Sequence, residues 1–258
     1  MTAQPRLSLI LLAVALGLAG LVAAGGLIGC STPQGDDRRD LREVAIDESI
    51  SRTQRVATLL AVLEDGRVDP HLRGTAAQML GVLRSWEAVP ALFEVLGYGY
   101  ESTQPVTDRE SWLAAQVQFQ PLEAGPESAV YLRMEAVEAL GRFGIAPIYQ
   151  GVFQAVGLEQ IDPSFYVRHA YVDSFRFATP DARTERADVA FVLLLWLRTV
   201  QVDRDPSPVF HESLVANAVQ SLRRLTGRAD LTAADLDEWE AELAAMRSVR
   251  ETASMREP

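Results

Sequence analysis

The sequence predicts an all-α body of about four helical pairs stacked side by side, and three observations predict it. Beyond residue 46, apolar side chains recur at three- and four-residue steps almost everywhere. One helix-length pattern returns several times along the chain. Strand signals are nearly absent: the run Gln116 to Phe119 is the single weak one, and it sits in a long connection.

The residues ahead of that body read differently. Met1 to Arg6 is short and carries one positive side chain. Leu7 to Ile28 is apolar, with Ser8 its one polar side chain. Leu27-Ile28-Gly29-Cys30 closes the run with the only cysteine among 258 residues. That is the layout of an export signal, with small residues at the cut. The tetrapeptide resembles the bacterial lipoprotein signal, the lipobox. The resemblance implies that residues 1–29 are a cleaved signal peptide and that Cys30 carries lipid on its sulfur. The alternative is an uncleaved transmembrane helix. The run exceeds the roughly 20 residues that span a bilayer, yet Gly17, Gly20, Gly25, Gly26 and Gly29 weaken a helix interior. Either reading sets the rest of the chain outside the cytoplasm or on a membrane surface. Ser31, rather than Asp, follows the cysteine, so the lipoprotein resemblance implies a cell-envelope protein in the outer membrane.

Charge bounds the partners. The chain has 24 basic residues, all arginine, against 35 acidic ones, for a net charge of −11. Removing residues 1–29 takes away one Arg and no acid, so the mature chain is more acidic still. Such a surface repels nucleic acid and anionic lipid. One cysteine permits no disulfide within the chain. At 48% hydrophobic and 23% charged, the chain can bury a sizeable core.

Residues 30–45 read as the lipidated cysteine and a flexible tether. Ser31 to Asp40 is polar and charged, broken by Pro33 and Gly35, with too few apolar side chains to offset ordering. Fully extended, some 15 residues reach about 50 Å. From 46 to 258 the helical body follows. Ile46, Ile50, Val56, Leu59, Leu60 and Leu63 mark its first helix, which Asp65-Gly66 stops. Asp69-Pro70 opens the next, Asp as N-cap and Pro in the first turn.

There the internal repeat begins. Leu72-Arg73-x-x-Ala76-x-x-x-Leu80-Gly81-x-Leu83 matches Leu132-Arg133-x-x-Ala136-x-x-x-Leu140-Gly141-x-Phe143. Each is followed by a proline-marked second helix, at Val89-Pro90-Ala91-Leu92 and Ala146-Pro147-Ile148. A looser third copy is Val167-Arg168-x-x-Tyr171-x-x-x-Phe175. A fourth keeps only Ala218, Leu222 and Leu225. Small residues let helices approach, and Leu or Phe fills the space between copies. Ala76, Ala136, Leu80 and Leu140 are therefore expected in the core. At the end, Gly227 is a candidate C-cap, and Thr232-x-x-Asp235 is a helix start.

These residues resemble the bacterial HEAT-repeat family, in the short form seen in phycobilisome-lyase-like repeats. The resemblance covers about residues 65 to 248. It implies antiparallel helix pairs wound into a right-handed α-solenoid. It also implies that Arg73, Arg133 and Arg168 bridge carboxylates between repeats rather than bind a ligand.

Residues 98–127 interrupt the pattern as an insertion between the first two copies. Thr107-x-x-Glu110 marks a short helix running to Gln118. Long insertions in repeat proteins gather on one face, often the binding face. Tyr98, Tyr100 and Trp112 are the candidate partner-binding residues there, weighed against a role in anchoring the loop.

Catalytic chemistry is thin. His71, His169 and His211 are far apart and lack a second ligand at metal spacing, so no metal and no cofactor is expected. His71 and His169 read as exposed side chains at the starts of first helices. No nucleophile elbow, phosphate loop or HExxH occurs. The expected function is a protein-interaction scaffold with an unidentified protein partner, held to the membrane by its lipid. The alternative is an enzyme or chromophore-handling factor, which the resemblance to lyase-associated repeats implies. A deep pocket with convergent polar groups would favour the alternative, and a shallow groove the scaffold.

Overall fold

A computed structural model describes residues 36–115, 117–158, 162–178, 180, 183–202 and 208–254. Cys30 and the signal segment lie outside these residues. The chain is mostly helical, 69%, with one two-stranded ribbon. In chain order the elements are α1 (Asp36–Ile46), α2 (Arg52–Glu64), α3 (Pro70–Val82), α4 (Val89–Val95), β1 (Tyr98–Glu101), α5 (Arg109–Ala114), β2 (Gln118–Pro121), α6 (Val130–Gly141), α7 (Ala146–Phe153), α8 (Phe165–Ser174), α9 (Arg183–Val202), α10 (Pro208–Thr226) and α11 (Leu236–Ser254). Among the described residues, no helix is long and apolar enough to cross a membrane.

The expected tether, residues 30–45, is corrected from residue 36 on; residues 30–35 lie outside the described residues. Residues 36–46 form α1 rather than flexible linker. Leu41 and Ala45, one turn apart, put their side chains on the core. The carbonyl of Ala45 accepts a hydrogen bond from Arg55 Nη1 at 2.7 Å. Two apolar positions among charges make too narrow a stripe to stand out in the sequence. Ile46, read as the start of the next helix, instead ends α1 and is 71% exposed, and that next helix begins only at Arg52.

Helix starts follow local chemistry. Ser51 caps α2 in a reciprocal box with Gln54. Asp69 caps α3 through the His71 N–H at 2.8 Å, with Pro70 in the first turn. Gly227 ends α10 with φ +81 and donates its N–H to the Arg223 carbonyl at 2.8 Å. Beyond it, Trp239 of α11 is fully buried, and its Nε1 donates to the Thr232 carbonyl at 2.9 Å.

First helices of successive copies lie against one another: α3 on α6, α6 on α8, α8 on α10. Among the second helices, α7 packs on α9, and α9 on α11. Ala76, Ala136, Leu80 and Leu140 are all fully buried, as their spacing requires. Two glycines set the approach. A Cβ on Gly81 would stand 2.5 Å from the Cα of Ala139, and one on Gly141 would stand 2.4 Å from the Cβ of Ser174. Each glycine lies eight residues after its copy's arginine, and each contact lies six residues after the next copy's arginine. Both steps therefore share one geometry. In the third copy Tyr171 replaces the alanine, so aromatic rings fill the gap: Tyr149 stacks on Phe175 at 4.1 Å. Its hydroxyl lies 2.8 Å from the Gly141 carbonyl and 3.1 Å from that of Ser174. Burial pushes the Tyr149 and Tyr171 phenols well up, so both stay protonated donors.

Buried arginines tie the copies to their connectors. Arg73 donates from Nε to the Leu63 carbonyl at 2.8 Å and from Nη2 to the Glu127 carboxylate at 2.9 Å. The Glu127 carbonyl in turn accepts from Arg133 Nη1. Arg133 grips the Asp162 carboxylate with two bonds, 2.8 and 3.0 Å. The Asp162 carbonyl accepts from Arg168 Nη1 at 2.6 Å. Each acid thus uses its side chain for the preceding arginine and its backbone for the following one.

Two expectations follow. Gly141→Val forces overlap at the α6–α8 contact and should cost about 1–3 kcal/mol or more in denaturant unfolding. Gly66→Ala, with open space around its Cβ, should be nearly neutral. Asp162→Ala leaves the Arg133 charge buried and unpaired, and should cost about 3–5 kcal/mol in the same assay. Asp65→Ala, which removes a solvent-facing pair with Arg67 and one bond from the Arg67 N–H, should cost far less.

Candidate functional site

The insertion is the one irregular region between two closely matched copies, and its backbone explains its shape. Leu96 ends the helix before it, and Gly97 turns the chain at φ +81. A Cβ there would fall 2.5 Å from the Pro126 nitrogen, so only glycine fits where the loop returns. β1 and β2 then pair antiparallel, Tyr98 opposite Pro121 and Tyr100 opposite Phe119. The weak strand signal at Gln116 to Phe119 thus becomes β2, shifted to Gln118–Pro121. Its partner is unrecognisable alone, because Tyr98-Gly99-Tyr100-Glu101 is too short to show a period. The helix within the insertion starts later than expected. Asp108, not Thr107, caps α5, in a reciprocal box with Ser111 rather than Glu110, and the helix stops at Ala114.

The aromatic contact surface expected of Tyr98, Tyr100 and Trp112 is corrected. Trp112 is 3% exposed and Tyr98 8%. Trp112 sits among Trp86, Tyr100 and Phe119, with ring centroids 6.0, 5.8 and 6.2 Å away. Phe119 also meets Phe93 at 4.6 Å. A Cβ on Gly151 would stand 2.4 Å from the Phe119 ring, so the missing side chain of α7 makes room for β2. Tyr98 donates its hydroxyl to the Gln154 carbonyl at 3.1 Å. Tyr100 is half-buried, and that burial pushes its phenol upward. These rings bind the ribbon to the helices, so Tyr98 and Trp112 are packing residues first.

What the insertion does expose is mixed. A cavity of about 330 Å³ opens between α5, β2 and α7, lined by Leu113, Gln118, Phe119, Pro147, Gln150 and Gln154 among others. Leu113 is 55% exposed at its edge. The described lining of the cavity consists of amides, the Trp112 and Phe119 rings and aliphatic carbon, with no charged side chain. A second cavity, about 420 Å³, lies where the loop returns past α2 and α4. Its polar groups include Arg73 and Glu127, already bonded to each other, with Glu64 and Glu94 beside them. Both volumes fall in the range of small-molecule clefts.

The histidines stay apart. His71 lies on the α3 surface with its ring 4.7 Å from Tyr131. His169 is half-buried rather than exposed. Its Nδ1 lies 3.2 Å from the Asp173 carboxylate, and its Nε2 lies 3.2 Å from the Asn217 amide. Asn217 also donates to Asp173 at 3.0 Å, joining α8 to α10. This trio was not visible in the sequence, because Asn217 is 48 residues from His169. The His169–Asp173 spacing of one helical turn was the available signal. Among the described residues, no three His, Cys, Asp or Glu side chains group to hold a metal ion. Glu127 and Asp162 were also missed. Each lies six residues before a repeat arginine, and that acid-to-arginine spacing is their signature.

No protein-family model, curated protein or solved structure matches this chain.

Trp112→Ala empties the centre of the ring cluster. It should lower stability by about 3–5 kcal/mol, read as a fall in the thermal midpoint. Leu113→Ala, at the exposed edge, should move the midpoint little.

Proposed function

We propose that the chain is a membrane-anchored extracytoplasmic lipoprotein whose helical pairs form a HEAT-type solenoid that serves as a protein-interaction scaffold. One observation carries the scaffold reading: the glycine contacts of Gly81 on Ala139 and Gly141 on Ser174 repeat at the same offset. A body grown by repeating one step presents an extended surface rather than a central pocket. The arginine bonds at each connector support it, since they brace successive pairs without reaching toward a substrate. The anchor half of the reading rests on Leu27-Ile28-Gly29-Cys30 and the apolar run before it. The envelope, with the outer membrane as residence, follows from the same segment and from Ser31. A lipid anchor joined to so acidic a body uses the lipid, not charge, to hold the membrane.

The partner is a protein that meets uncharged surface. The ring cluster holds the fold, so Leu113 and Gln118 of the insertion, with Gln150 of α7 beside them, are the contact residues in this reading. Cys30→Ser should leave an unprocessed precursor larger by the signal segment, without fatty-acid label, while wild type carries the label. Equal size and equal labelling would end the lipoprotein reading. Cross-linking in intact cells should give one adduct with wild type that Leu113→Arg removes at unchanged melting temperature. An identical adduct in both proteins would end the role given to the insertion.

A further inference from the structure

Gly81, at the end of α3, opens onto a small cavity of about 170 Å³ that shares no lining residue with the insertion's cavity. Val82, Arg84, Arg142 and Phe177 complete its lining. Its chemistry differs from the rest of the acidic surface. Arg142 lies flat over the Phe177 ring, its Cζ 3.9 Å from the centroid. Its Nε is buried and has no hydrogen-bond partner. Glu135 is close enough to feel the Arg142 charge, yet its Oε2 is itself buried without a hydrogen-bond partner. Arg176, on the same ring at 4.7 Å, is neutralised by Glu138 and Asp173, at 3.3 and 3.5 Å. Among the described residues, Arg84 has no ion-pair partner within salt-bridge distance.

Arg84 is also held at a backbone position that disfavours it. It is the only described non-glycine residue with positive φ, at 47°. The second copy has Gly144 at the equivalent position, eleven residues after its arginine, with φ 71. The first copy places a long cation where its sister uses glycine. The turn is fixed from outside: Arg52 Nη2 donates to the carbonyls of Leu83 and Arg84 at 3.0 and 3.3 Å. A strained backbone and an unpaired guanidinium lie on one cavity, in a chain with an excess of acids to pair them.

We propose that this cavity is a binding site for a small oxyanion, a carboxylate or phosphate group, held between Arg84 and Arg142. Guanidinium groups present paired N–H donors that match two oxygens of either group. Phe177 keeps the Arg142 plane in place, and Gly81 leaves the floor open. The volume suits one such group with a small substituent and is below that of clefts for larger ligands.

Purified full-length protein is titrated with inorganic phosphate and, separately, with acetate, at ionic strength fixed by chloride. Calorimetry and the thermal midpoint are both read. At least one anion should saturate and raise the midpoint; phosphate alone identifies a phosphate site, acetate alone a carboxylate site. Arg142→Gln should weaken that binding about tenfold or more. Arg84→Gly should weaken it likewise while raising the anion-free midpoint, because it removes the backbone strain. A fold lost in Arg142→Gln would show in circular dichroism, and Arg84→Gly then decides alone. No saturation by either anion beyond chloride, or Arg84→Gly binding as wild type does, overturns the site.

Discussion

The bidentate bond between Arg133 and Asp162 is the constraint on which the middle of the molecule depends. Both side chains are about 95% buried, and taking two charges from water costs more than a typical hydrogen bond returns. Such a pair adds little net stability over an apolar one. What it adds is position. Asp162 has one carboxylate geometry that satisfies Arg133, and its carbonyl then lies where Arg168 donates. The connector before α8 is thereby placed against α6, with Ala155 and Val156 buried in the core beside it. Glu127 does the same for the connector before α6, with Arg73 on one side and Arg133 on the other. At the front, the position six residues before Arg73 holds Arg67, not an acid, and the Arg73 guanidinium takes the Leu63 carbonyl instead. The chain of clasps begins where the repeat begins.

Small residues complete what the arginines start. Glycine at the end of α3 and of α6 lets the next first helix come within contact of backbone, and the arginine at the other end of each helix fixes its connector. Two restraints at opposite ends of a helix determine how it lies on its neighbour. The insertion is accommodated without disturbing them. Its ribbon sits beside α4 and α7, where Gly151 has no side chain, and its rings pack there instead of intruding between α3 and α6.

The helix pairs are legible in the sequence because their signals are local: the cap at Asp69, periodic Leu, and small residues at fixed offsets. The arginine position is legible too, since the repeat displays it. The acids that meet those arginines are less so, because Glu127 and Asp162 stand in connectors of different length and only their distance to the next arginine is constant. Helix α1 escapes notice for a different reason. Its two buried side chains, Leu41 and Ala45, sit in a segment whose composition reads as solvated linker, and tertiary contact overrides that composition. The ribbon escapes because its pairing joins residues about twenty apart through a turn and a helix. The oxyanion cavity needs three copies in space: Arg84 from the first, Arg142 from the second, Phe177 from the third.

Aromatic residues in an irregular insertion suggest a contact surface, and here the suggestion fails on energetic grounds. A ribbon of two four-residue strands is marginal in water. To hold one fixed shape it needs a hydrophobic face against something larger, and Tyr98, Trp112 and Phe119 are the side chains that provide it. The same rings cannot also be offered to a partner without melting the ribbon that carries them. In the scaffold reading, a partner at this part of the molecule meets the amides and two exposed leucines, Leu113 and Leu122. Recognition there depends on shape held by the rings beneath, and a variant that weakens those rings would weaken binding only by first loosening the surface above them.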